Sequence, residues 1–424
     1  MIRANDPHLH SWIQIPPTSD FPIQNLPFGI FSTESREPRV GVAIGDYVLD
    51  LLAVSQNGLF DLLSLEDPSV FHGPTLNRFI ALGKPMWREV RARVSELLRN
   101  DNPEIRDHDE LMRECLVKKH EVTMHLPLQV PNYTDFYSSL DHATNVGMMF
   151  RDPGKPLPPN WKHQPLAYHG RASSILVSGQ PVFRPQGQVK AADAAGPTFG
   201  PSRQLDFELE VAFITGRATA NGSYVLADEA DDYIFGLVLF NDWSARDIQQ
   251  WEYQPLGPFL GKSFASTISP WVVTLDALEP FRVEGPLQDP QVLPYLEFTG
   301  PKHLDLDLKV YLQPARQESV LISHTNARHL YWNMNQQLAH QTSNGCNLEV
   351  GDLYASGTIS GPDPEAYGSL LELTWNGTKP LLLPDGATRK YLEDGDSVIM
   401  LGHGERNGIR IGFGELRNQV LRFT

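Results

Sequence analysis

The residues best suited to chemistry are three carboxylates in the run Leu-Asp-Phe-Glu-Leu-Glu-Val-Ala-Phe at positions 205–213. Apolar residues alternate there with Asp206, Glu208 and Glu210, which predicts a half-buried β-strand with all three acids on one face. Glu208 and Glu210 are then roughly 7 Å apart along the strand. Because like charges this close repel each other, a divalent cation between them is the natural partner. The run therefore makes a metal enzyme the leading hypothesis.

Alternation alone does not establish a metal site, because a second run in the chain has the same pattern. Residues 304–310 place Asp305, Asp307 and Lys309 between apolar residues, which predicts an antiparallel strand with one face in solvent. A solvated face is therefore the competing interpretation for 205–213 as well. The presence of further acids elsewhere in the chain favours the metal.

Two further acids are candidates for this site. Asp135 lies among aromatic residues, where an unpaired carboxylate is costly, although an Asx turn or a helix cap also explains it. Asp242 directly follows the apolar strand 234–240, and capping of the next helix is its alternative role. A set made only of oxygen donors favours Mg²⁺ or Ca²⁺ over zinc. The predicted metal ligands are Asp135, Glu208, Glu210 and Asp242.

Polar donors follow Asp242 on a predicted helix at 244–252. Arg246 and Gln249 are three residues apart, so they share a helix face and can present two donors to one oxyanion. An exposed face is the competing interpretation, but Trp243 and Trp251 make this helix unusually apolar for one that faces solvent. Lys262 occupies a glycine-bounded turn without the full spacing of a phosphate-binding loop, so we reject nucleotide binding there.

Size and composition restrict the class of protein. A chain of 424 residues predicts two domains, and a formal net charge of −16 argues against nucleic acid or an anionic membrane as partner. A small anionic substrate stays compatible, because local arginines and a metal can reverse the field inside a cleft. Two cysteines give neither a disulfide framework nor a zinc cluster. Without a membrane-length apolar stretch or a signal-peptide pattern, we expect a cytoplasmic protein.

The elements that position these residues are mostly strands. Strand-like runs at 28–32 and 40–52 and a helix at 85–100 precede a highly charged stretch, which predicts an N-terminal β domain at 1–125. A C-terminal domain at 126–424 then follows, interrupted by helices at 244–252 and 326–341. Many strands with few helices predict a mainly β protein with a large sandwich or roll. Its predicted strands are 211–215, 234–240, 271–275, 304–313, 370–375, 396–402 and 409–413.

Several long strings resemble the fumarylacetoacetase (fumarylacetoacetate hydrolase) family over nearly the whole chain. They are YTDFYSS at 133–139, HATNVG at 142–147, YHGRASS at 168–174, LDFELEVAF at 205–213, NDWSARDIQQWEY at 241–253, GPFLGKSF at 257–264 and ASGTISG at 355–361. The resemblance implies an N-terminal SH3-like small barrel, a large C-terminal mixed β-sandwich roll, a homodimer and bound Ca²⁺ or Mg²⁺.

The resemblance also implies roles for individual residues. It assigns the metal to Asp135, Glu208, Glu210 and Asp242, and it makes His142 the general base with Glu372 as its orienting carboxylate. The implied oxyanion donors are Arg246, Gln249 and Lys262. The implied substrate contacts are Tyr137, Arg151, Tyr168, Tyr253 and Thr358. Without the resemblance, Glu372 is an ordinary strand residue and His142 a surface or structural histidine.

The implied activity is hydrolysis of the carbon–carbon bond of the β-diketone 4-fumarylacetoacetate to fumarate and acetoacetate, which closes tyrosine and phenylalanine catabolism. One alternative is another β-dicarbonyl acid enzyme on this scaffold, of the acylpyruvate hydrolase or oxaloacetate decarboxylase type. The N-terminal domain and the aromatic segment 241–259 disfavour it. A non-catalytic, metal-stabilised protein is the second alternative. Ala265-Ser266-Thr267 departs from the family's usual Gly-Thr-Thr but Ser266 keeps a hydroxyl, so the sequence leaves open whether a second cation site exists near Lys262 and Ser266.

Overall fold

The computed structural model describes residues 2–191 and 193–422 and is mainly β, which confirms the predicted fold class. Its centre is a mixed sheet of eight strands, called the central sheet below. In spatial order its strands are Ala167–His169, Tyr133–Phe136, Leu353–Ala355, Leu209–Thr215, Ile234–Asp242, Ser266–Ile268 and Ile175–Val177, with Val273–Thr274 paired beside Ile234–Asp242.

The strand Leu209–Thr215 is buried on both faces, not half-buried as predicted. Val211 and Phe213 pack into one hydrophobic core, while Ala212 and Ile214 pack into another. Since successive side chains of a strand point to opposite faces, period-two packing on both sides fixes the register of this strand firmly.

The N-terminal part covers one face of the central sheet. Its antiparallel five-stranded sheet has the spatial order Leu116–Lys118, Tyr47–Asp50, Arg36–Ile44, Phe28–Thr33 and Thr123–His125. Phe28 exchanges backbone hydrogen bonds with Val272, at 3.0 and 2.7 Å. The helix Lys84–Leu98 buries Trp87 against Phe235 of the central sheet. These contacts form one continuous core between the N-terminal part and the sheet.

A second five-stranded sheet covers the other face. It runs Val320–Asn326, Asp307–Gln313, Ser397–Arg406, Ile409–Leu421 and Val182–Phe183. Along Asp307–Gln313, buried and half-buried residues alternate strictly, which confirms the prediction of one solvent-facing side. Four two-stranded sheets complete the strands that the structure describes: Gln186–Val189 with Thr198–Pro201, Leu205–Asp206 with Ser244–Ala245, Arg282–Val283 with His303–Leu304, and Leu381–Leu382 with Thr388–Arg389.

The described α-helices are short and lie between the strands. They are Leu51–Gln56, Asn77–Ile80, Lys84–Leu98, Asp109–Cys115, Leu140–Phe150, Arg246–Glu252, Leu275–Leu278, Met334–Thr342 and Leu370–Leu373. In residues 2–191 and 193–422, no helix is long and apolar enough to cross a membrane.

Several predicted elements differ in detail from the structure. The run 205–213 is not one strand, because Leu205–Asp206 pairs with Ser244–Ala245 whereas Leu209–Thr215 joins the central sheet. The predicted strand 370–375 is wrong, since Leu370–Leu373 is one turn of helix capped by the hydroxyl of Ser369. The predicted helix 326–341 begins as a 3₁₀ turn, and its α-helical part is Met334–Thr342.

Candidate active site

Three carboxylates meet at one edge of the central sheet. Glu210 lies at the start of Leu209–Thr215 and Asp242 at the end of the antiparallel strand Ile234–Asp242. Asp135 lies near the end of Tyr133–Phe136, at the same edge. Because neighbouring antiparallel strands run in opposite directions, the start of one lies beside the end of the other, and acids distant in sequence come together here. One oxygen of each of the three acids lies within 4.8 Å of the others.

The oxygens of this group fit a hard divalent cation. The buried Asp135 Oδ1 and Glu210 Oε1 receive no hydrogen bond from any described residue. Their second oxygens are held: Tyr133 donates to Asp135 at 2.5 Å, and the Gly357 N–H donates to Glu210 at 2.8 Å. Burial, followed by the charges of neighbouring carboxylates, raises the pKa of Asp135 and of Glu210 well above the ordinary value. A bound divalent cation would remove this penalty.

Glu208 lies beside this group and not within it. Its carboxylate accepts from Lys262 Nζ at 2.5 Å and lies 2.8 Å from Nη1 of Arg246. Burial alone raises the pKa of Glu208, but the two cations outweigh it and hold the pKa far below its usual range. Lys262 also donates to Asp242 at 2.6 Å, so one ammonium joins Glu208 to the three-acid group.

Asp206 lies outside the group formed by Asp135, Glu210 and Asp242, although alternation predicts that it shares one face with Glu208 and Glu210. It is fully buried and accepts a 2.8 Å hydrogen bond from Arg246 Nε. The break in the strand after Asp206 explains the difference, because the strict two-residue repeat is interrupted at Phe207.

A buried histidine–carboxylate pair faces the acids. His142 belongs to the helix Leu140–Phe150, whose N-cap Ser139 accepts from the His142 N–H. The ring Nδ1 lies 2.7 Å from Glu372 Oε2. An ionised carboxylate only accepts hydrogen bonds, so Nδ1 is the protonated nitrogen of this contact, and Nε2 is the nitrogen that carries the lone pair when the ring is neutral.

Glu372 is held by several donors besides His142. Asn145 donates to it at 2.9 Å, Ser369 at 2.8 Å and Ser360 at 2.9 Å. Burial alone raises the pKa of Glu372, but the charge of His142 and these hydrogen bonds bring it below the ordinary value. Glu372 is therefore a fixed, ionised acceptor.

A cleft of about 610 Å³ opens in front of these groups. Most of the predicted site residues line it: Asp135, Tyr137, His142, Arg151, Tyr168, Glu208, Arg246, Gln249, Tyr253, Lys262 and Thr358. Glu210, Asp242 and Glu372 do not line the cleft. Their hydrogen-bond partners do, and these are Gly357 for Glu210, Lys262 for Asp242 and His142 for Glu372. The structure thus brings the predicted set together in one place.

Three donors in the cleft wall are buried and have no partner within the described part of the chain. They are the hydroxyls of Tyr137 and Thr358 and the Nη2 of Arg246. Buried donors normally have an acceptor, so unpartnered ones in a cleft wall indicate a polar ligand. The hydroxyl of Tyr168 is different, because it already donates to Asp242 at 2.7 Å. Tyr253 and Arg151 are exposed at the edge.

Sequence reasoning missed the residues that hold the predicted ones in place. These are Tyr133, Asn145, Asp206 and the two serines at 360 and 369. Asn145 carried a usable signal, since it follows His142 by three residues and helical neighbours at that spacing share a face. The two serines carried no such signal, because the sequence predicts a strand at their partner Glu372.

Comparison with known proteins agrees with this geometry. A family model described as "Fumarylacetoacetase N-terminal" matches residues 24–127, and one described as "Fumarylacetoacetate (FAA) hydrolase C-terminal" matches residues 132–421. The chain belongs to the fumarylacetoacetase family. The fumarylacetoacetase of Caenorhabditis elegans is 53% identical over 418 residues, covering 97% of this chain and 99% of its own. That of Homo sapiens is 51% identical, covering 97% and 98%. As a family member the chain is a hydrolase.

Solved structures share the fold at low sequence identity. The fumarylacetoacetate hydrolase from Exiguobacterium antarcticum is 20% identical with a TM-score of 0.54, covering 94% of this chain and 100% of its own. The maleylpyruvate hydrolase from Sphingobium sp. SYK-6 is 16% identical with a TM-score of 0.51, covering 94% and 100%. At these identities, the fumarylacetoacetase family assignment rests on the sequence relatives.

Proposed function

We propose that this cleft hydrolyses the carbon–carbon bond of 4-fumarylacetoacetate, giving fumarate and acetoacetate. The observation that carries the proposal is the His142–Glu372 pair, because His142 lines the same cleft as the cations Arg246 and Lys262 while Glu372 holds it from behind. Relatives named fumarylacetoacetase, which are 53% and 51% identical over 97% of this chain, support this choice of substrate. The reaction is the last step of tyrosine and phenylalanine breakdown.

The cation site in this proposal consists of Asp135, Glu210 and Asp242, with Glu208 adjoining. The oxygen-only donor set and the two unpartnered carboxylate oxygens suit Mg²⁺ or Ca²⁺. Such an ion, when bound, supplies a Lewis-acid charge that favours the enolate form of a β-diketone over the neutral ketone. Glu208 would complete the ligand set from its position between Lys262 and Arg246.

His142 acts as the general base. Its Nδ1–H donates to Glu372, so Nε2 is free to take a proton from a water molecule in the cleft. The resulting hydroxide adds to the carbonyl carbon on the fumaryl side of the substrate. Glu372 stabilises the imidazolium that forms, as a carboxylate does in a serine protease triad.

The alkoxide formed by this addition faces the cationic wall. Arg246 offers its unpartnered Nη2, and Gln249 and Lys262 line the cleft beside it. One oxyanion donor is typically worth about 3–4 kcal/mol of transition-state stabilisation. When the alkoxide collapses, the carbon–carbon bond breaks and its electron pair enters the acetoacetate enolate, which then takes a proton. Fumarate leaves with the oxygen from water.

Substrate carboxylates are positioned by polar groups of the cleft wall. The hydroxyls of Tyr137 and Thr358, which have no partner among the described residues, are suited to donate hydrogen bonds to an anionic oxygen. Arg151 adds a positive charge, and Tyr168 and Tyr253 provide aromatic walls. A small dianion thus finds local donors despite the negative charge of the whole chain.

Assembly and location are also part of the proposal. We expect a homodimer, because the resemblance to the family implies one, and a cytoplasmic location. Chromatography with light scattering tests the first, and localisation of a tagged full-length chain tests the second.

The deciding experiment is hydrolysis of fumarylacetoacetate by the purified chain, with EDTA and then with Mg²⁺ or Ca²⁺ added back. Cleavage that EDTA abolishes and one cation restores supports both the substrate and the cation site. Acylpyruvates and oxaloacetate serve as competing substrates. A higher kcat/KM for either of them than for fumarylacetoacetate would overturn the substrate assignment and retain the cation site.

A further inference from the structure

We infer that Asp206 is a positioning residue that fixes the oxyanion donor Arg246 and the helix carrying Glu372 relative to each other. The inference rests on the proposed function, because it assigns those two residues their roles. Asp206 itself does not line the cleft. Its side chain is fully buried, and every hydrogen bond described for it is one that it accepts.

The four donors reach Asp206 from three separate segments. Oδ1 accepts from the N–H of Phe207 at 2.8 Å and of Leu370 at 2.7 Å. Oδ2 accepts from the N–H of Leu371 at 3.0 Å and from Arg246 Nε at 2.8 Å. One carboxylate therefore joins the helix at 246–252 to the helix at 370–373.

On the arginine side, Asp206 and Glu208 together orient the guanidinium. Asp206 holds Nε, Glu208 lies 2.8 Å from Nη1, and Nη2 is the atom left without a described partner. Because a guanidinium is planar and rigid, two anchored nitrogens determine where the third one points. Asp206 thus aims the donor that the alkoxide needs.

On the other side, Asp206 supports a helix too short to stabilise itself. Leu370–Leu373 is a single turn, and its first N–H groups have no partner inside the helix. Asp206 accepts from Leu370 and Leu371, while Ser369 caps the N–H of Glu372. The direction of the Glu372 carboxylate toward His142 therefore depends on Asp206.

The chemistry of the site requires a carboxylate. An asparagine at 206 keeps the shape but turns one oxygen into an NH₂ group, which would face a backbone N–H of the 370–373 helix in either orientation and also Arg246 Nε in one of them. The helix or the guanidinium then shifts, and displacements of about 1 Å near reacting groups can cost about 10²-fold in rate. We therefore expect Asp206→Asn to lower kcat about 10²-fold and to change KM by less than about threefold.

Asp247→Asn is the matched control. Asp247 lies on the same helix as Arg246 and accepts from Ser202 at 2.6 Å and from the Arg203 N–H at 2.7 Å, but not from Arg246 or the 370–373 helix. Its kcat should stay within about twofold of the wild-type value. An equal fall in kcat for both variants would overturn the inference, because it would make the effect a general consequence of losing a hydrogen-bonded carboxylate near Arg246.

A double-mutant cycle separates positioning from a loss of stability. If Asp206 acts through Arg246 and Glu372, Asp206→Asn should cost less than about tenfold in kcat when introduced into Arg246→Met or into Glu372→Gln. A full 10²-fold loss in both backgrounds contradicts the inference. Should Asp206→Asn fail to fold, Asp206→Glu retains the charge with displaced oxygens and enters the same cycle with the same expectation.

One readout does not need turnover. In the ¹⁵N spectrum of histidine-labelled full-length protein, assigned through His142→Gln, His142 should show the Nδ1-protonated tautomer. Asp206→Asn should shift that signal toward a mixture of tautomers, whereas Asp247→Asn should not. An unchanged His142 signal in a folded Asp206→Asn variant overturns the inference. Absence of fumarylacetoacetate hydrolysis by the wild type contradicts the proposed function alone.

Discussion

His142 and Glu372 are 230 residues apart in the chain, yet Nδ1 of one lies 2.7 Å from Oε2 of the other inside the protein. Both side chains are buried, and Glu372 receives further hydrogen bonds from Asn145, Ser360 and Ser369. The carboxylate is thereby fixed more firmly than a surface partner could be. This rigidity determines which ring nitrogen of His142 is free to accept a proton.

The first prediction concerns this pair. Glu372→Gln should lower kcat by about 10³-fold or more, because a glutamine can present an NH₂ group to Nδ1 and favour the wrong tautomer. Affinity for Mg²⁺ or Ca²⁺, measured by calorimetry, should stay within about threefold. His142→Ala should abolish turnover with the same retained affinity. Weakened cation binding in either variant would mean that His142 or Glu372 has been assigned the wrong role.

The second prediction separates the acids of the cation site. Asp135→Asn, Glu208→Gln and Glu210→Gln should each lose cation affinity and activity together, since each removes a negative oxygen donor. The exposed Glu318→Gln is the control and should change neither. Binding isotherms for Mg²⁺ and Ca²⁺ measure the effect. Retained affinity in Glu208→Gln would make Glu208 a partner of Lys262 and Arg246 only.

The third prediction is a reversal of stability in the cation-free protein. Burial and neighbouring carboxylates raise the pKa of Glu210, so its charged form destabilises the fold at neutral pH when no cation is bound. A carboxyl group with a raised folded-state pKa makes stability fall as pH rises above its ordinary value. In EDTA at pH 7, Glu210→Gln should therefore have a higher Tm than wild type.

Added cation should reverse the order of Tm in the same pair of proteins. A ligand at 100 times its Kd stabilises the native state by about 2.7 kcal/mol, and only the wild type should gain this. A lower Tm for Glu210→Gln than for wild type in EDTA would contradict the electrostatic account of the site.

The fourth prediction concerns acid stability away from the cleft. Burial lowers the pKa of His303 to about 4, and neither ring nitrogen has a hydrogen-bond partner in residues 2–191 and 193–422. The pKa of His303 in the folded protein lies below 6.5, its value in the unfolded chain. The neutral ring therefore makes its full contribution to stability above pH 6.5, and this contribution is lost as the pH falls toward 4. The loss is about 3 kcal/mol.

Urea denaturation of wild type and His303→Gln at pH 7, 5.5 and 4 measures this effect. As the pH falls from 7 to 4, the unfolding free energy of the wild type should decrease by up to about 3 kcal/mol more than that of His303→Gln. The exposed His8→Gln should follow the wild type. Parallel pH curves for wild type and His303→Gln would show that His303 does not titrate as described.

Much of the cleft was foreseeable from local sequence. Glu210 lies on the predicted strand, Asp242 ends the strand predicted just before it, and Arg246 and Gln249 lie on the predicted helix. The sequence predicts no element for Asp135, and Glu208 lies in the break between two strands. The element predicted for Glu372 is wrong, because Leu-Leu-Glu-Leu suits a strand as well as a helix. The helix forms there because Ser369 and Asp206 satisfy its first N–H groups.

The sequence by itself determined the residue types of the site, the family and the alternation that directs Glu208 and Glu210 inward. Only the tertiary structure decided that Asp206 pairs with Arg246, that Glu208 lies between two cations and that Glu372 reaches His142. Local periodicity determines on which face of a strand a side chain lies. Partners across 40 to 230 residues of chain depend on how separate segments pack, which no local pattern specifies.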